Sequence, residues 1–410
     1  MLLLKLIIYF NAIFINIRHR FIILSIFLDE PSIDNQFHFI IEDLEIIQYT
    51  MAMRDIEKIQ LSIKDISRLS GVSIATLSRF FNGQSVRPSN EAKIQKILQE
   101  TGYRPSIAAR FIKGHNSGVI GLIVPEITHP FFALIAEGVM REARNQGKLV
   151  LLGSSEGSME IEKQIIDRFS QSILDGLIYI PVAKAENIPA LKSFRNLPLV
   201  VTARKGIIPG VPHVYHDGEG GGYLATKHLI SLGRHRIAFI ASFWDVPCTN
   251  TELLANHKKS FMHSFSSIER FKGYLKALEE AGIPYNPNLV VVTGYGHMHG
   301  VDAASELKGR FVDCNGVVTM TQAVANGFTA QAKRLGYRVP EDISVVLFDA
   351  NESKADYTFT YIELHLIRMG QESVRTLNEL IEGREAQDIC LDVELRVRET
   401  SVKLPAEAPR

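Results

Sequence analysis

Ile63-Lys-Asp-Ile-Ser-Arg-Leu-Ser-Gly-Val-Ser-Ile-Ala-Thr-Leu-Ser-Arg-Phe-Phe-Asn82 is the stretch from which the rest of the chain can be ordered. Ile63, Ile66 and Leu69 recur at helical spacing, Ser70-Gly71-Val72 breaks the pattern, and Ser73 stands at an N-cap position ahead of a second helix over Leu77, Phe80 and Phe81. Two short helices joined by a Gly-containing turn make a helix-turn-helix, whose second helix can lie in a DNA major groove while the first braces it across the backbone. The polar face of the second helix carries Ser73, Thr76, Ser78 and Arg79, and its exposed Ile74 and Ala75 suit contact with thymine methyl groups. Taken alone, the pattern also fits a small helical domain with no nucleic-acid role.

Working outward, Pro88 suits a first helical turn, and Ile94, Ile97 and Leu98 predict a third helix ending at Thr101-Gly102. Residues 51–113 hold eleven Lys/Arg against five Asp/Glu, a local excess of six in a chain whose formal net charge is zero. Tyr103-Arg-Pro-Ser-Ile-Ala-Ala-Arg-Phe-Ile-Lys113 is basic and too poor in apolar residues to fold alone. It reads as a hinge that becomes helical when two copies meet on DNA, wedging an apolar side chain into the minor groove; the alternative is a plain linker.

Residues 1–50 do not fit this design. Lys5 and Arg18-His19-Arg20 interrupt the apolar run before it reaches the roughly 18 to 20 residues of a spanning helix. No small-residue cleavage site follows it. The segment is read as an extension arising from the choice of start site, with Met51 or Met53 the expected beginning; a genuine tail or membrane-associated segment is the alternative.

From Val119 the texture changes. The apolar runs Val119 to Val124, Leu149 to Leu152, Gly176 to Ile180 and Leu199 to Thr202 have the character of strands buried on both faces, and helical patterns over Phe131 to Gln146 and Ile161 to Ser172 lie between them. A second series follows: Tyr223 to Leu232, Ile237 to Ile240, Ile268 to Ala281, Leu289 to Thr293, Gly316 to Thr319, Ala323 to Leu335, Ser344 to Leu347 and Leu366 to Glu382. Alternating strands and helices give βαβ units, so two doubly wound lobes with parallel sheets are expected, with a small-molecule site in the cleft at the strands' carboxyl ends. At 410 residues, 46% hydrophobic and 22% charged, the composition is that of a soluble protein of two or three domains. Cys248, Cys314 and Cys390 are widely spaced and form no metal motif, which points to a reducing, cytoplasmic setting.

The order and spacing of several motifs resemble the lactose/galactose repressor (LacI/GalR) family of bacterial transcription regulators over residues from about 61 to 400. They include Ile63-Lys-Asp-Ile-Ser-Arg-Leu-Ser-Gly-Val-Ser73, Thr76-Leu-Ser-Arg79, Asn82-Gly83, Gly102-Tyr-Arg-Pro105, Ile120-Gly-Leu-Ile-Val-Pro125, His129-Pro-Phe-Phe132, Asp175-Gly-Leu-Ile178, Glu269-Arg-Phe-Lys-Gly-Tyr274, Gly336-Tyr-Arg-Val-Pro-Glu-Asp342 and Phe348-Asp349. The resemblance implies an all-α helix-turn-helix head joined to an α/β, two-lobed periplasmic-binding-protein-like domain with doubly wound parallel sheets. Its boundaries are 51–102 for the head, 103–114 for the hinge and 115–410 for the effector-binding and dimerisation domain.

The resemblance also implies residue roles. Ile74 and Ala75 take base-reading positions, Thr76 and Arg79 match phosphate and base contacts, and Ile112 replaces the hinge leucine. Ser73, Ser78, Asn82 and Arg110 complete the expected DNA-binding set. In the cleft, Arg204 and Asp349 match a guanidinium and a carboxylate that hold sugar hydroxyls, with His129, Phe131 and Thr321 as further effector contacts. Departures accompany these matches. Thr321-Gln322 stands where the family usually has Asn-Asp, Ala203 and Ala350 replace aspartates, Leu347 replaces a glycine, and the loop 243–267, with Trp244, His257 and His263, is longer than usual.

Other constellations are weaker. His297 with His299, or His213 with His216 and Asp217, do not complete a metal-ligand set at helical or loop spacing and are read as surface or cap histidines. Gly218-Glu-Gly-Gly-Gly222 is not GxGxxG, so no dinucleotide is expected; no cofactor or metal is implied, and no enzyme motif appears. The expected function is a DNA-binding repressor of a carbohydrate-utilisation operon, acting on a palindromic operator as a homodimer under small-molecule control, with tetramers left open and no membrane partner. A regulator that is constitutive or controlled by a partner protein is the alternative, and a solute-binding protein a third reading. A chain beginning at Met51 is expected to match the full chain in thermal midpoint and DNA affinity; loss of cooperative unfolding on deletion overturns the reading of residues 1–50.

Overall fold

The computed structural model describes residues 61–81, 84–103, 116–182, 185–194, 197–243, 266–308, 314–348 and 359–403. They fall into two compact units that divide between Ser106 and Ile107. The expectations for residues 1–50, Asn82, Arg110, Ile112, Asp349, Ala350 and nearly all of the loop 243–267 lie outside the described residues.

In the first unit, α1 (Ile63–Ser70) starts in a capping box: the Asp65 amide donates to Ser62 Oγ at 3.3 Å and the Ser62 amide to Asp65 Oδ2 at 3.0 Å. It ends at Gly71, whose φ of 66° is the left-handed conformation glycine adopts most cheaply. Ser73 caps α2 (Ile74–Phe81) by accepting from the Thr76 amide at 3.3 Å, and Pro88 opens α3 (Pro88–Thr101). Ile66, Val72, Leu77 and Ile94 form the buried centre, surrounded by Ile63, Phe80, Phe81, Ile97, Leu98 and Tyr103. Leu69, assigned to the apolar face by its spacing, is exposed; Val72 of the turn enters the core instead.

The second unit holds two six-stranded sheets. One has the order β11 (Ile389–Leu391), β5 (His213–His216), β4 (Leu199–Thr202), β3 (Gly176–Tyr179), β1 (Val119–Val124), β2 (Leu149–Ser154), all parallel. The other runs β12 (Glu394–Arg396), β10 (Thr360–Glu363), β9 (Ser344–Phe348), β8 (Gly316–Thr319), β6 (Ile237–Ser242), β7 (Val290–Thr293), parallel except where β12 meets β10. The apolar run at 149 predicts a strand buried on both faces. The structure places it at the sheet's outer edge, where Leu149, Leu151 and Leu152 are exposed.

Helices cover the sheets as side-by-side pairs: α4 (Pro130–Asn145) with α10 (Leu366–Ile381), α6 (Gly218–Ser231) with α7 (Ser266–Glu280), and α8 (His297–Leu307) with α9 (Gln322–Arg334). α5 (Met159–Ser170) lies against β1 and β2. Each pair meets through two facing glycines. A Cβ on Gly138 would overlap the Ile367 carbonyl and one on Gly370 the Ile135 carbonyl; Gly222 and Gly273 stand in the same relation to Arg270 and Glu219, and Gly300 and Gly327 to Val324 and His297. The Gly218-rich stretch, from which Tyr223 was expected to begin a helix, is the first turn of α6, capped by Asp217 through the Gly220 amide at 2.8 Å.

The chain crosses between lobes after β5, after β10 and between β11 and β12. Arg234, fully buried, ties the second lobe by donating to the carbonyls of Asn315, Asp342, Pro340, Glu341 and Val402 at 2.9 to 3.2 Å. Because Gly222 and Gly273 face rigid backbone, Gly222→Ala is expected to lower stability by about 1–3 kcal/mol, the usual cost of overpacking. Chemical denaturation reads this directly, and an unchanged midpoint would show that the helices separate without cost.

Candidate DNA-reading helix and effector cleft

In the head, α2 turns Leu77 into the core, so the opposite side faces solvent. Ser73, Ile74, Ala75 and Arg79 are exposed, while Thr76 and Ser78 are half-buried. The Ser73 and Thr76 hydroxyls lie 2.9 Å apart, which fixes the first turn. Lys64, Arg87, Lys93 and Lys96 add exposed positive charge to the same unit, and Arg68 pairs with Asp65 at 2.9 Å.

The cleft of the second unit is built at strand carboxyl ends. His129 is the N-cap of α4, its Nδ1 accepting from the Phe131 amide at 3.3 Å. Its ring meets Tyr295, from the other lobe, edge-on at 5.5 Å, while Phe131 stands edge-on to His216 at 6.2 Å. Arg204 follows β4, with Nη1 3.5 Å from Ser266 Oγ on α7. Burial lowers the Arg204 pKa and the charge of Arg270 adds to that, against the opposing influence of Tyr295, Glu162 and Tyr179. Thr321 caps α9 by accepting from the Val324 amide at 3.2 Å and gives its hydroxyl proton to the Tyr295 carbonyl at 3.1 Å. The structure thus brings His129, Phe131 and Arg204 to one region and commits the Thr321 proton to the fold.

Three residues enter the cleft that sequence reasoning does not assign to it, among them His216, which is buried against the expectation of a surface or cap histidine. Arg270, only 2% exposed, stacks its guanidinium 4.1 Å from the Phe348 ring centre, with Nη1 3.6 Å from Met320 Sδ. His216 is buried, its Nδ1 has no hydrogen bond, and burial together with Arg270 and Arg204 pushes its imidazole down to about 3. Glu162, fully buried, accepts from the Val182 amide at 2.7 Å and from Asn187 Nδ2 at 2.8 Å, and burial raises its carboxyl pKa. Arg270 lies inside the Glu269-to-Tyr274 motif, but helical spacing alone does not say which side chain of such a run points into a cleft.

Two further histidines, His213 and His299, serve the backbone. His213 is buried rather than on the surface, and its Nε2 accepts from the Ile207 and Ile208 amides at 3.2 and 3.3 Å. His299 Nδ1 accepts from the Gly296 amide at 3.0 Å, as a helix cap. A groove of about 680 Å³ lies away from the cleft, between α4 and the β10–α10 crossing.

Comparison with known proteins agrees with both halves of this architecture. Residues 62–106 match the family described as bacterial regulatory proteins, lacI family, and residues 117–394 match the periplasmic binding proteins and sugar binding domain of the LacI family. The chain is 29% identical to the HTH-type transcriptional regulator RegA of Clostridium saccharobutylicum, over 83% of this chain and 99% of that one. It is 28% identical to the HTH-type transcriptional repressor CytR of Escherichia coli K12, over 84% and 97%. Among solved structures it resembles a CelR–cellobiose complex, with 26% identity, a TM-score of 0.60, and coverage of 83% of this chain and all of that one. It shares its fold with the lac repressor dimer bound to operator and the anti-inducer ONPF, at 23% identity, a TM-score of 0.70, and coverage of 83% and 99%. With a helix-turn-helix head and a two-lobed α/β effector-type domain matched in order, the chain belongs to the LacI family and is a DNA-binding transcriptional regulator.

Proposed function

We propose that this regulator represses transcription by placing α2 in the major groove of a palindromic operator as a homodimer, and that a small molecule in the cleft sets its operator affinity. The carrying observation is α2 itself: capped by Ser73, held by Leu77, and presenting Ile74, Ala75 and Arg79 outward. Ile74 and Ala75 suit thymine methyls and Arg79 a guanine edge or a phosphate, with Thr76, Ser78, Asn82 and hinge residues Arg110 and Ile112 completing the contact. A second copy has a receptive face in edge strand β2 and its neighbour α4, where Leu149, Leu151, Leu152 and Met140 are exposed.

In the cleft, Arg204 and Asp349 hold the effector, with His129, Phe131 and Thr321 around it. A sugar or sugar derivative is the proposed class, in keeping with the cellobiose named for one structural relative. The head spans 51–102, the hinge 103–114 and the effector domain 115–410, boundaries in keeping with the unit division near 106 and the two family matches. This reading places the protein in the cytoplasm with its DNA and assigns it no enzymatic step. Commitment of the Thr321 proton to Tyr295 favours one second reading, a regulator that does not respond to sugar and is constitutive or controlled by a partner protein.

The test is titration of the full chain against a DNA site selected from a random pool. Log affinity is expected to fall with log salt at about −0.9 per neutralised phosphate, and Arg79→Ala to cost about 1–3 kcal/mol. Unchanged binding by Arg79→Ala, or a flat salt dependence, overturns the placement of α2.

A further inference from the structure

The motif Asp175-Gly-Leu-Ile178 has a task in the structure that neither the reading helix nor the cleft explains. Asp175 stands just ahead of β3 and is only 7% exposed, and its carboxylate turns back to the two residues that lead into β1. Oδ1 accepts from the Ser117 amide at 2.5 Å and from the Ser117 hydroxyl at 2.8 Å, and Oδ2 accepts from the Gly118 amide at 2.8 Å. Backbone bonds close the clamp: the Leu149 amide donates to the Gly118 carbonyl and the Asp175 amide to the Val119 carbonyl, each at 2.8 Å. Gly118 has a φ of 75°, a left-handed bend that a residue with a side chain adopts only under strain.

A buried carboxylate is costly to desolvate, and here three donors offset that cost on behalf of two residues of backbone. Strand β1 does not depend on them. From Val119 onward its ladders to β2 and β3 hold it, with Val119 opposite Leu149 and Ile120 opposite Gly176. What Asp175 fixes in addition is the direction in which the chain leaves the first lobe on its N-terminal side. Only His115 and Asn116 separate the clamp from the segment 103–114 read as the hinge, which the head precedes in the chain.

We infer that Asp175 is a positioning residue for operator binding, its carboxylate setting the direction of chain exit at Ser117 and Gly118 and with it the half-site spacing that the two heads of a dimer accept. This rests on the operator reading above and deepens it. The heads must reach half-sites a helical turn or a multiple of it apart, while base pairs repeat about every 3.4 Å along the duplex. A freed exit lets each head swing, so the second half-site is met at a lower effective concentration.

Operator titration of the full chain tests this for the parent, Asp175→Asn and Asp175→Ala, on a palindrome that the parent selects from a random pool. The duplexes carry the half-sites at the selected spacing, with one base pair added, with one removed, and as a single half-site. An Asn amide keeps one acceptor and turns N–H groups toward a donor, so both variants break the clamp. Both are expected to lose about tenfold in affinity at the parent's spacing and to discriminate less between the three spacings, through that loss of effective concentration. Affinity for the single half-site is expected to stay at the parent's value. Should Asp175→Ala fail to fold, Asp175→Asn carries the comparison. Variants that keep the parent's spacing profile, or that lose palindrome and half-site alike, overturn the inference. Sedimentation accompanies the titration, because a variant that loses the palindrome by dissociating into monomers overturns it too. A parent that selects no palindrome removes the operator reading and this inference together; a palindrome-binding parent whose variants keep its profile removes this inference alone.

Discussion

A parallel strand cannot be joined to its neighbour by a tight turn, so the parallel strand pairs in these lobes need crossover connections, and the helices must then share the sheet faces side by side. Here they do so at backbone contact. Six glycines, two in each of the pairs α4/α10, α6/α7 and α8/α9, lie where a methyl group would strike a carbonyl of the facing helix. Functional geometry follows from these contacts. The Arg270 carbonyl packs on Gly222, and the same residue's guanidinium reaches the Phe348 ring. Any outward shift of α7 would therefore withdraw Arg270 from the cleft. In the same way, the approach of α4 to α10 through Gly138 and Gly370 sets where the helix begun at His129 stands.

Much of this was legible because buried parallel strands leave an unmistakable trace. Val119 to Val124 and Leu199 to Thr202 were bounded to the residue, and the Ser73 cap and Gly71 turn were read correctly in the head. What escaped were elements whose identity is positional. β5 reads His-Val-Tyr-His, and β11 and β12 are three residues each; they are strands because a crossing chain meets an existing sheet edge. β2 has the same apolar character as β1, and only topology makes one an edge and the other a centre. α8 begins His-Met-His-Gly, a poor helical start whose cap comes from His299 folding back on Gly296.

The candidate sites divide along the same line. Exposed residues of a short capped helix follow from period alone, so the exposure of Ile74, Ala75 and Arg79 is legible in the sequence. Buried charges do not. Arg234, Arg270 and Glu162 are ordinary letters in amphipathic runs, and their roles depend on which carbonyls, rings and amides the fold brings near.

The crossings between lobes show where relative motion of the lobes must pass. They are bonded to one another: the Asp217 amide, just past β5, donates to the Leu391 carbonyl at 3.0 Å, and His365, just past β10, stands 3.6 Å from Glu394 at the start of β12. Relative motion of the lobes must therefore pass through a few linked residues, as hinge closure generally does. His216 is the last residue of β5, immediately before the first crossing. A ligand shifts a conformational equilibrium only by its differential affinity for the two states. Contacts made to both lobes at once would supply that difference, because opening the cleft breaks one half of them.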